Sequence, residues 1–457
     1  MRLKIAGGCV YDPASGWEGE VRDLYIDQGR MVAHLPEVDR VIAAAGRAVL
    51  PGGIDLRGAV ASFGQDFVRL RGWTPPLPAL GELYASLGYT HVHEPFLTFA
   101  TASYVHRELA ALPYVDTSAS LAVNLRDLDL WLAEPARLAE VGQTLKFLLE
   151  KTRTLNLRVA EPFVRYRQDH YAPRTLTTER ALEVLAQLAR EEDLTLALEA
   201  SPEVLRARLP EPRAFHLAAL GPALAAEDLV DAALGQLERG ATGDLGLSLV
   251  RAEAAPQAPT VQVDMGWFRP LAYGMAADGA RVRRALSLAL AYGGPGLAFS
   301  AGGPGSGVVK DYPLLFSWLW DRQARLDIFG QDLGPRQYTL AEWVWATRTL
   351  PARLLGLKDR GSLSPGARAD VAIFDLPPEA CRGRWGEFLG RCRTLLKAGE
   401  VVVDDFTIVP PRVAKATYFR QTGAGPTPML AELCQLRSFR MENLWVPEGL
   451  GGPWVGL

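Results

Sequence analysis

Brief apolar runs separated by turn residues occupy both ends of the chain. The runs near the start are 3–5, 23–26, 31–34 and 41–44, with glycines between them. A similar run at 371–376 follows a Pro-Gly turn, and the pattern continues through 394–403 and 406–409. We therefore predict a small β-sandwich domain formed by both chain ends, residues 1–50 together with residues 356–412.

The middle of the chain alternates short apolar runs with stretches of helical period. In the stretch 177–194, apolar residues recur on one face, at positions 182, 185, 188 and 189. The candidate strands are 91–94, 119–124, 156–159, 195–199, 214–217, 261–263 and 296–300. Strands that alternate with helices form parallel sheets, and about eight such units close into a (β/α)8 barrel. The sequence predicts an α/β fold in which residues 51–355 form a TIM-like barrel.

Residues 413–457 follow these two domains as a C-terminal extension. Glycine and proline cluster at 423–428 and again at 447–453, and several aromatic residues accompany them. We expect this extension to lie over a surface or over a partner protein, where aromatic residues would suit an interface.

Composition narrows the class of protein. The 457 residues carry a net charge of −3, which argues against a nucleic-acid partner. No apolar run reaches the length of a membrane span, and the chain enters its first strand without a leader-like stretch. The four cysteines are widely spaced and form no C-x-x-C motif. These features predict a reduced cytoplasmic protein.

Several motifs resemble one enzyme family. Residues 49–55, V-L-P-G-G-I-D, and residues 355–375, L-G-L-K-D-R-G-S-L-S-P-G-A-R-A-D-V-A-I-F-D, resemble the first barrel strand and the closing segment of amidohydrolases. Three further stretches, 87–95, 312–319 and 439–448, resemble the A-type subunit of formylmethanofuran dehydrogenase and of the related bacterial formyltransferase/hydrolase complex. The resemblance implies a barrel of the amidohydrolase type and a place in a complex with the other subunits.

The resemblance also implies a zinc site, and the residues needed for it are missing. Active relatives hold two metal ions with a His-x-His pair, a carboxylated lysine, two further histidines and an aspartate, and the metals activate a water for hydrolysis of a formamide bond. Carried onto this sequence, those positions fall on Arg57, Ala59, Arg158, Glu199, Ala219 and Ser300. A guanidinium has no lone pair to donate to a metal and forms no carbamate, and a methyl group cannot ligate. We expect no bound metal or other cofactor and no catalytic residue at these positions.

Other polar residues leave alternatives open. His91 and His93 alternate on one strand and Glu94 follows, so they form either a relocated metal site or a packed strand. We expect His216 to be a hydrogen-bonded core residue and His106 to be exposed. Arg57 and Arg158 are candidate ligand-binding residues, and their carboxylate partners would be Glu94, Glu161 or Glu199.

The leading hypothesis is a catalytically silent A-type subunit, structural or regulatory, of a formylmethanofuran dehydrogenase or formyltransferase/hydrolase complex. Its partners would be the other subunits of that complex. One alternative is an active formamide hydrolase with a metal site rebuilt from His91, His93, Glu94 and Glu199. A second is a module that binds an anion, such as a polyglutamyl cofactor, through Arg57 and Arg158. A third, an inactive dihydroorotase scaffold, is disfavoured by the matches at 312–319 and 443–448.

Overall fold

The structure is a computed structural model that divides the chain into a strand-rich domain, a barrel and a C-terminal extension. It describes residues 1–61, 65, 69, 75–124, 132–160, 176–246, 261–263, 271–273, 279–300, 312–376, 385–410, 415–436, 440–450 and 452–457. The strands are β1 (Leu3–Asp12), β2 (Trp17–Asp27), β3 (Arg30–Val32), β4 (Arg40–Ala43), β5 (Arg47–Pro51), β6 (Gly53–Asp55), β7 (Tyr89–Leu97), β8 (Asp116–Asn124), β9 (Asn156–Ala160), β10 (Leu196–Glu199), β11 (Phe215–Ala218), β12 (Thr242–Asp244), β13 (Val261–Val263), β14 (Leu271–Tyr273), β15 (Leu297–Ala298), β16 (Val371–Asp375), β17 (Thr394–Lys397), β18 (Glu400–Asp404), β19 (Thr407–Ile408), β20 (Thr417–Phe419) and β21 (Trp454–Gly456).

Helices cover the outside of the barrel and part of its ends. They are α1 (Leu77–Ser86), α2 (Ala102–Ala110), α3 (Leu138–Lys151), α4 (Thr178–Glu191), α5 (Pro202–Arg206), α6 (Leu220–Ala223), α7 (Asp228–Glu238), α8 (Gly279–Tyr292), α9 (Tyr312–Trp320), α10 (Arg322–Phe329), α11 (Leu340–Val344), α12 (Leu350–Leu354), α13 (Trp385–Leu389) and α14 (Pro428–Leu436). The helix predicted within 177–194 is confirmed as α4. The hydroxyl of Thr177 caps its first turn, and the apolar stripe is buried.

The strand-rich domain joins the two ends of the chain in one sheet. Its order is β19-β18-β17-β16-β5-β1-β2-β3, with β4 paired to β1. The junction between the ends is the antiparallel pair β16 and β5, in which Ala372 faces Leu50. A separate apolar core, which includes Ile5, Ile26 and Val371, lies against this sheet.

The barrel sheet contains eight consecutive parallel strands, β6 to β12 followed by β15. The predicted α/β TIM-like barrel with a separate strand-rich domain is confirmed. One strand was misplaced in the prediction. Residues 261–263 form β13, which pairs antiparallel with β14 outside the barrel sheet, and the seventh barrel strand is the three-residue β12.

The gap between the first and last barrel strands is filled by helical backbone. Among the residues that the structure describes, β15 and β6 form no ladder with each other. Instead the N–H of Phe299 donates to the carbonyl of Ala346 (3.0 Å) in a π-helical turn, Trp345–Thr349. On the other side Arg348 Nε donates to the carbonyl of Pro51 (2.9 Å). This turn therefore completes the wall that the strands leave open.

The described part of the C-terminal extension lies on this chain's own barrel. β20 pairs in parallel with the start of β8, and β21 pairs with β20. The expectation that His106 is exposed is wrong. Its side chain is buried, its Nε2 lies 2.8 Å from the carbonyl oxygen of Thr152, and its ring meets that of Trp454 edge-on at 5.0 Å. A strand from the far end of the chain covers this histidine.

Among the described residues, no helix combines the length and the apolar character that a membrane span requires.

Candidate functional site at the mouth of the barrel

The candidate site lies at the carboxyl ends of the barrel strands, where the active sites of such barrels are found. Residues at or just beyond these ends contribute its polar groups. They are Arg57 after β6, Glu94 in β7, Arg158 in β9, Glu199 at the end of β10, Ala219 after β11, Asp244 at the end of β12 and Ser300 after β15.

Two buried arginines dominate the site. Arg57 and Arg158 retain only 6% and 3% of their exposure. Their guanidinium carbons lie 5.1 and 4.6 Å from the centre of the Phe96 ring, which is within the range of cation–π contacts. Burial, followed by the charge of Arg57, lowers the pKa of Arg158 to about 10, while carboxylates that include Glu199 act in the opposite direction. The fold therefore brings these two arginines, which are distant in sequence, close together in space.

The backbone around Arg57 is held from both sides. Its N–H donates to Asp55 Oδ1 (3.1 Å), and Asp55 also accepts a hydrogen bond from the Tyr84 hydroxyl (2.7 Å). The next residue, Gly58, donates its N–H to the carbonyl of His93 (2.9 Å), and a Cβ at this position would lie 2.3 Å from Val92. Glycine is required at this close approach of two strands.

Asp244 is the hub of a second group. It is 2% exposed and accepts hydrogen bonds from the Ser300 hydroxyl, His216 Nε2 (3.0 Å) and the N–H of Ala219 (3.2 Å). Burial opposes its ionisation, but His216, Arg57 and Ser300 outweigh that effect and lower the pKa of Asp244 to about 2. The expectation that His216 is hydrogen-bonded is confirmed, although 12% of its side chain remains exposed.

The remaining predicted positions differ in what they contribute. Glu199 Oε2 lies 4.0 Å from Arg158 Nη2, at the limit of an ion pair. Ala59 and Ala219 are buried and have positive φ angles of 44° and 60°. The carbonyl of Ala59 accepts a hydrogen bond from Gln65 (2.5 Å), so this residue closes a turn and presents only a methyl group. Glu161, one of the three predicted carboxylate partners, lies outside the described residues.

The donor set does not fit the zinc centre that the family resemblance of the sequence implies. Guanidinium and methyl groups stand at the positions of Arg57, Arg158, Ala59 and Ala219, and none of them ligates a metal. Within the described ranges, no three His, Cys, Asp or Glu side chains are grouped so that they could hold an ion. The pair formed by His216 and Asp244 supplies only two such groups, and they are hydrogen-bonded to each other.

The proposed rebuilt site is also not assembled. His91 Nε2 and His93 Nδ1 both contact the hydroxyl of Ser118 (2.8 Å each), and His93 Nε2 contacts that of Ser120 (2.6 Å). Burial, followed by the charge of Arg158, lowers the pKa of His93 to about 3. The carboxylate of Glu94 points elsewhere and accepts from backbone N–H groups. The structure therefore favours the packed-strand interpretation of His91 and His93.

The inside of the barrel beneath Arg158 is nearly filled. A cavity of about 30 Å³ remains there, which is room for a water molecule or a group of similar size. Its polar lining consists of His93, Ser120, Asn156, Arg158, Thr195, His216 and Asp244. A small polar ligand fits this space, whereas a large one does not.

The sequence prediction missed Asp244 and Phe96. Asp244 was missed because the seventh strand was assigned to residues 261–263, so Thr242-Gly243-Asp244 was not recognised as a strand. The only signal was an aspartate directly after a short Thr-Gly run. Phe96 was missed because β7 shifts register between Glu94 and Leu97, and such a bulge re-aims a side chain.

A test of the site concerns Glu94. Burial raises the pKa of its carboxyl to about 7, although the N–H groups of Ala61 and Phe96 and the charges of Arg69 and Arg57 act in the opposite direction. A carboxyl whose pKa is raised on folding stabilises the protein at low pH and loses that contribution as pH rises from about 4 to about 7. We expect the unfolding free energy of the native chain to fall relative to that of Glu94→Gln by about 3 kcal/mol over this range. Denaturant unfolding at several pH values measures the difference.

The matched control is Glu183→Gln, at an exposed ion pair with Arg180. Its difference from the native chain should stay nearly constant with pH. A Glu94→Gln difference that is equally flat would show that the Glu94 carboxyl is ionised in the folded protein at an ordinary pH.

Comparisons with known proteins agree with this architecture. An amidohydrolase family model matches residues 296–403. The A-type subunit of the formyltransferase/hydrolase complex Fhc of Methylorubrum extorquens is 26% identical, over 90% of this chain and 89% of that protein. Protein FwdA of Methanocaldococcus jannaschii is 32% identical, but over only 26% of this chain and 24% of its own length.

Solved structures show the same fold. The crystal structure of the FhcABCD complex of Methylorubrum extorquens with methylofuran contains a chain that matches with a TM-score of 0.85 and 21% identity, covering 100% of this chain and 99% of that one. A D-hydantoinase matches with a TM-score of 0.57 and 17% identity, covering 93% and 100% of the two chains. These likenesses extend over the strand-rich domain as well as the barrel.

Proposed function

Since this chain belongs to the amidohydrolase superfamily and is related to the A-type subunit of the Fhc complex, as its sequence predicted, we propose that it is a non-catalytic A-type subunit of a one-carbon formyltransferase/hydrolase complex. The observation that carries the proposal is the pair of buried arginines at the barrel mouth. Arg57 and Arg158 stand at positions where the family resemblance implies a metal-binding histidine and a carboxylated lysine.

Charge and donor chemistry both support the absence of metal-dependent hydrolysis. A divalent cation placed beside two guanidinium groups would meet two fixed positive charges in a water-poor site, where repulsion is weakly screened. Asp244, the best remaining carboxylate, already accepts three hydrogen bonds. The carboxylates of Glu94 and Asp244 already accept hydrogen bonds from this chain, so the proposal assigns neither of them to the activation of a nucleophile.

The proposed partners are the other components of such a complex. The relative in Methylorubrum extorquens is named as one subunit of a complex, and this chain matches it along 89% of its length. The match of 99% of the corresponding chain in the FhcABCD crystal structure means that the surfaces available for assembly have the same underlying fold.

Metal content and formate release test the proposal together. The purified full chain, expressed with zinc supplied, should hold less than about a tenth of an equivalent of metal by mass spectrometry, and should release no formate from a formamide substrate. One to two tightly held equivalents, lost in the double variant His91→Ala and His93→Ala, would overturn the proposal in favour of a rebuilt hydrolase. Co-expression with the other components of the complex encoded by the same organism, followed by size-exclusion chromatography, tests assembly separately.

A further inference from the structure

We propose that Arg57 and Arg158 form a binding site for one small monocarboxylate at the mouth of the barrel. This binding site is a separate proposal from membership of a complex, and it does not depend on that membership. It rests on donors that the described chain leaves unpaired, on the shape of the guanidinium group and on the charges around it.

The first observation is a set of buried donors without acceptors. Nε and Nη1 of Arg57 and Nε and Nη2 of Arg158 are inaccessible to solvent and make no hydrogen bond with the described residues. A buried donor that lacks a partner is costly, and the cost is larger for a charged group. An acceptor supplied from outside the chain would satisfy these donors.

Other buried arginines of the chain also have nitrogens without an acceptor, Nε of Arg325 and Nε and Nη1 of Arg360, but their guanidinium groups still donate to several neighbours. Arg325 donates four hydrogen bonds to backbone carbonyls at the end of α9 and in the loop after α10. Arg360 donates to Asp116 and to the hydroxyl of Tyr418, and lies 3.1 Å from Asp370. The guanidiniums of Arg57 and Arg158 have the Phe96 ring in common and, within the described ranges, only one distant carboxylate.

The nearby carboxylates are engaged elsewhere. Glu199 is 4.0 Å from Arg158, beyond hydrogen-bond distance. Glu94 accepts from the N–H groups of Ala61 (2.8 Å) and Phe96 (3.1 Å). Asp244 accepts from three donors of its own. These groups moderate the positive charge of the arginine pair without occupying its donors.

The same charges select the class of ligand. Guanidinium groups pair with planar carboxylates through charge-assisted hydrogen bonds. Each of the two carboxylate oxygens can accept more than one hydrogen bond, so a single carboxylate can accept from both arginines. Asp244 and Glu199 already offset the two positive charges, so a monoanion is tolerated better than a phosphate dianion. Arg158 also lines the cavity of about 30 Å³, which has room for a small polar group only.

Calorimetric titration of the full chain with sodium formate and sodium acetate tests the proposal. We expect saturable binding of one anion per chain, at least about tenfold weaker in Arg57→Gln and in Arg158→Gln. Arg206→Gln is the matched control, because Arg206 forms an exposed ion pair with Asp228 and its loss changes the net charge equally. This variant should bind as the native chain does.

Thermal unfolding separates a binding role from a structural one. Without ligand, Arg57→Met should unfold at a higher temperature than the native chain, because it removes buried donors that have no acceptor. Formate should raise the unfolding temperature of the native chain above that in sodium chloride at equal ionic strength, and should leave Arg57→Met unchanged.

Three results would overturn the assignment. They are a lack of saturable formate and acetate binding by the native chain, tighter binding of inorganic phosphate than of either carboxylate, and undiminished binding by both glutamine variants. If those variants do not fold, the titration and the formate-dependent unfolding temperature of the native chain decide the question alone.

Discussion

Replacement of Asp116 by asparagine is expected to lower the free energy of unfolding by about 3–5 kcal/mol. Asp116 is completely buried at the start of β8 and faces three cations. Lys397 Nζ lies 2.7 Å and Arg368 Nη2 3.0 Å from its carboxylate, and Arg360 donates to it as well. The variant would leave these charges buried with only Asp370, among the described residues, to offset them.

The size of this effect reflects where the cluster lies. Asp116 belongs to the barrel, Lys397 belongs to the strand-rich domain, and the N–H of Ala416 in the C-terminal extension also donates to Asp116 (2.8 Å). One carboxylate therefore joins the three parts of the chain, and we expect them to lose cooperativity in the variant. Chemical denaturation followed by tryptophan fluorescence measures both the midpoint and the slope.

Asp375→Asn is the control for this prediction. Asp375 pairs with Arg393 and Arg47 in the same domain, but about a third of its side chain is exposed. Its loss should cost less than about 1 kcal/mol. An equally small loss in Asp116→Asn would show that the buried cluster contributes little.

The same cluster predicts a pH dependence. Burial opposes ionisation, but Arg360, Lys397 and Arg368 outweigh it and hold the pKa of Asp116 well below its usual range. A carboxyl whose pKa is lowered on folding contributes stability above the unfolded pKa, about 4, and loses it as pH falls further. The native chain should therefore lose stability below about pH 4 more steeply than Asp116→Asn.

Removal of the Asp244 carboxylate is the second large effect. Asp244→Ala should cost about 4 kcal/mol, because it leaves Arg57 and Arg158 with less compensating charge and deprives His216, Ser300 and the N–H of Ala219 of their acceptor. Since the pKa of Asp244 is lowered to about 2, its contribution is complete above about pH 4 and is lost as pH falls towards 2.

Ser300→Ala is the matched control for Asp244→Ala. It removes one donor to the same carboxylate and leaves the charge in place, so a loss of about 1–1.5 kcal/mol is expected. Equal losses in the two variants, measured by denaturant unfolding, would contradict the view that the charge of Asp244 balances the arginine pair.

Most of the fold could be predicted from the sequence, because long segments carry a clear period. The stripe of α4 is an example, since four apolar positions on one face fix both the helix and its buried side. The seventh strand could not be predicted in this way. Residues 242–244 are too few to show a period, and the barrel strand begins with Thr242-Gly243, which has little apolar character.

The candidate site was predicted in its positions but not in its contacts. The motifs around Arg57 and Arg158 were sufficient to assign both residues to the site. Their shared contact with the Phe96 ring appears only in the structure. The polar lining of the barrel could not be recognised in the sequence. Strands of a parallel sheet are buried on both faces, so they lack the alternation of polar and apolar residues that would mark one face. Hydroxyl groups of β8 contact His91 and His93 across neighbouring strands, which only the register reveals.

The late position of β20 and β21 has a consequence for synthesis of the protein. Residues 116–124 form β8 early in the chain, yet the start of this strand pairs with Thr417–Phe419, and Asp116 meets Lys397 and Ala416. In a nascent chain on the ribosome, the start of β8 therefore lacks these partners until residues 397–419 have been translated. Contacts of such high sequence separation form slowly, so these pairings are expected late in folding.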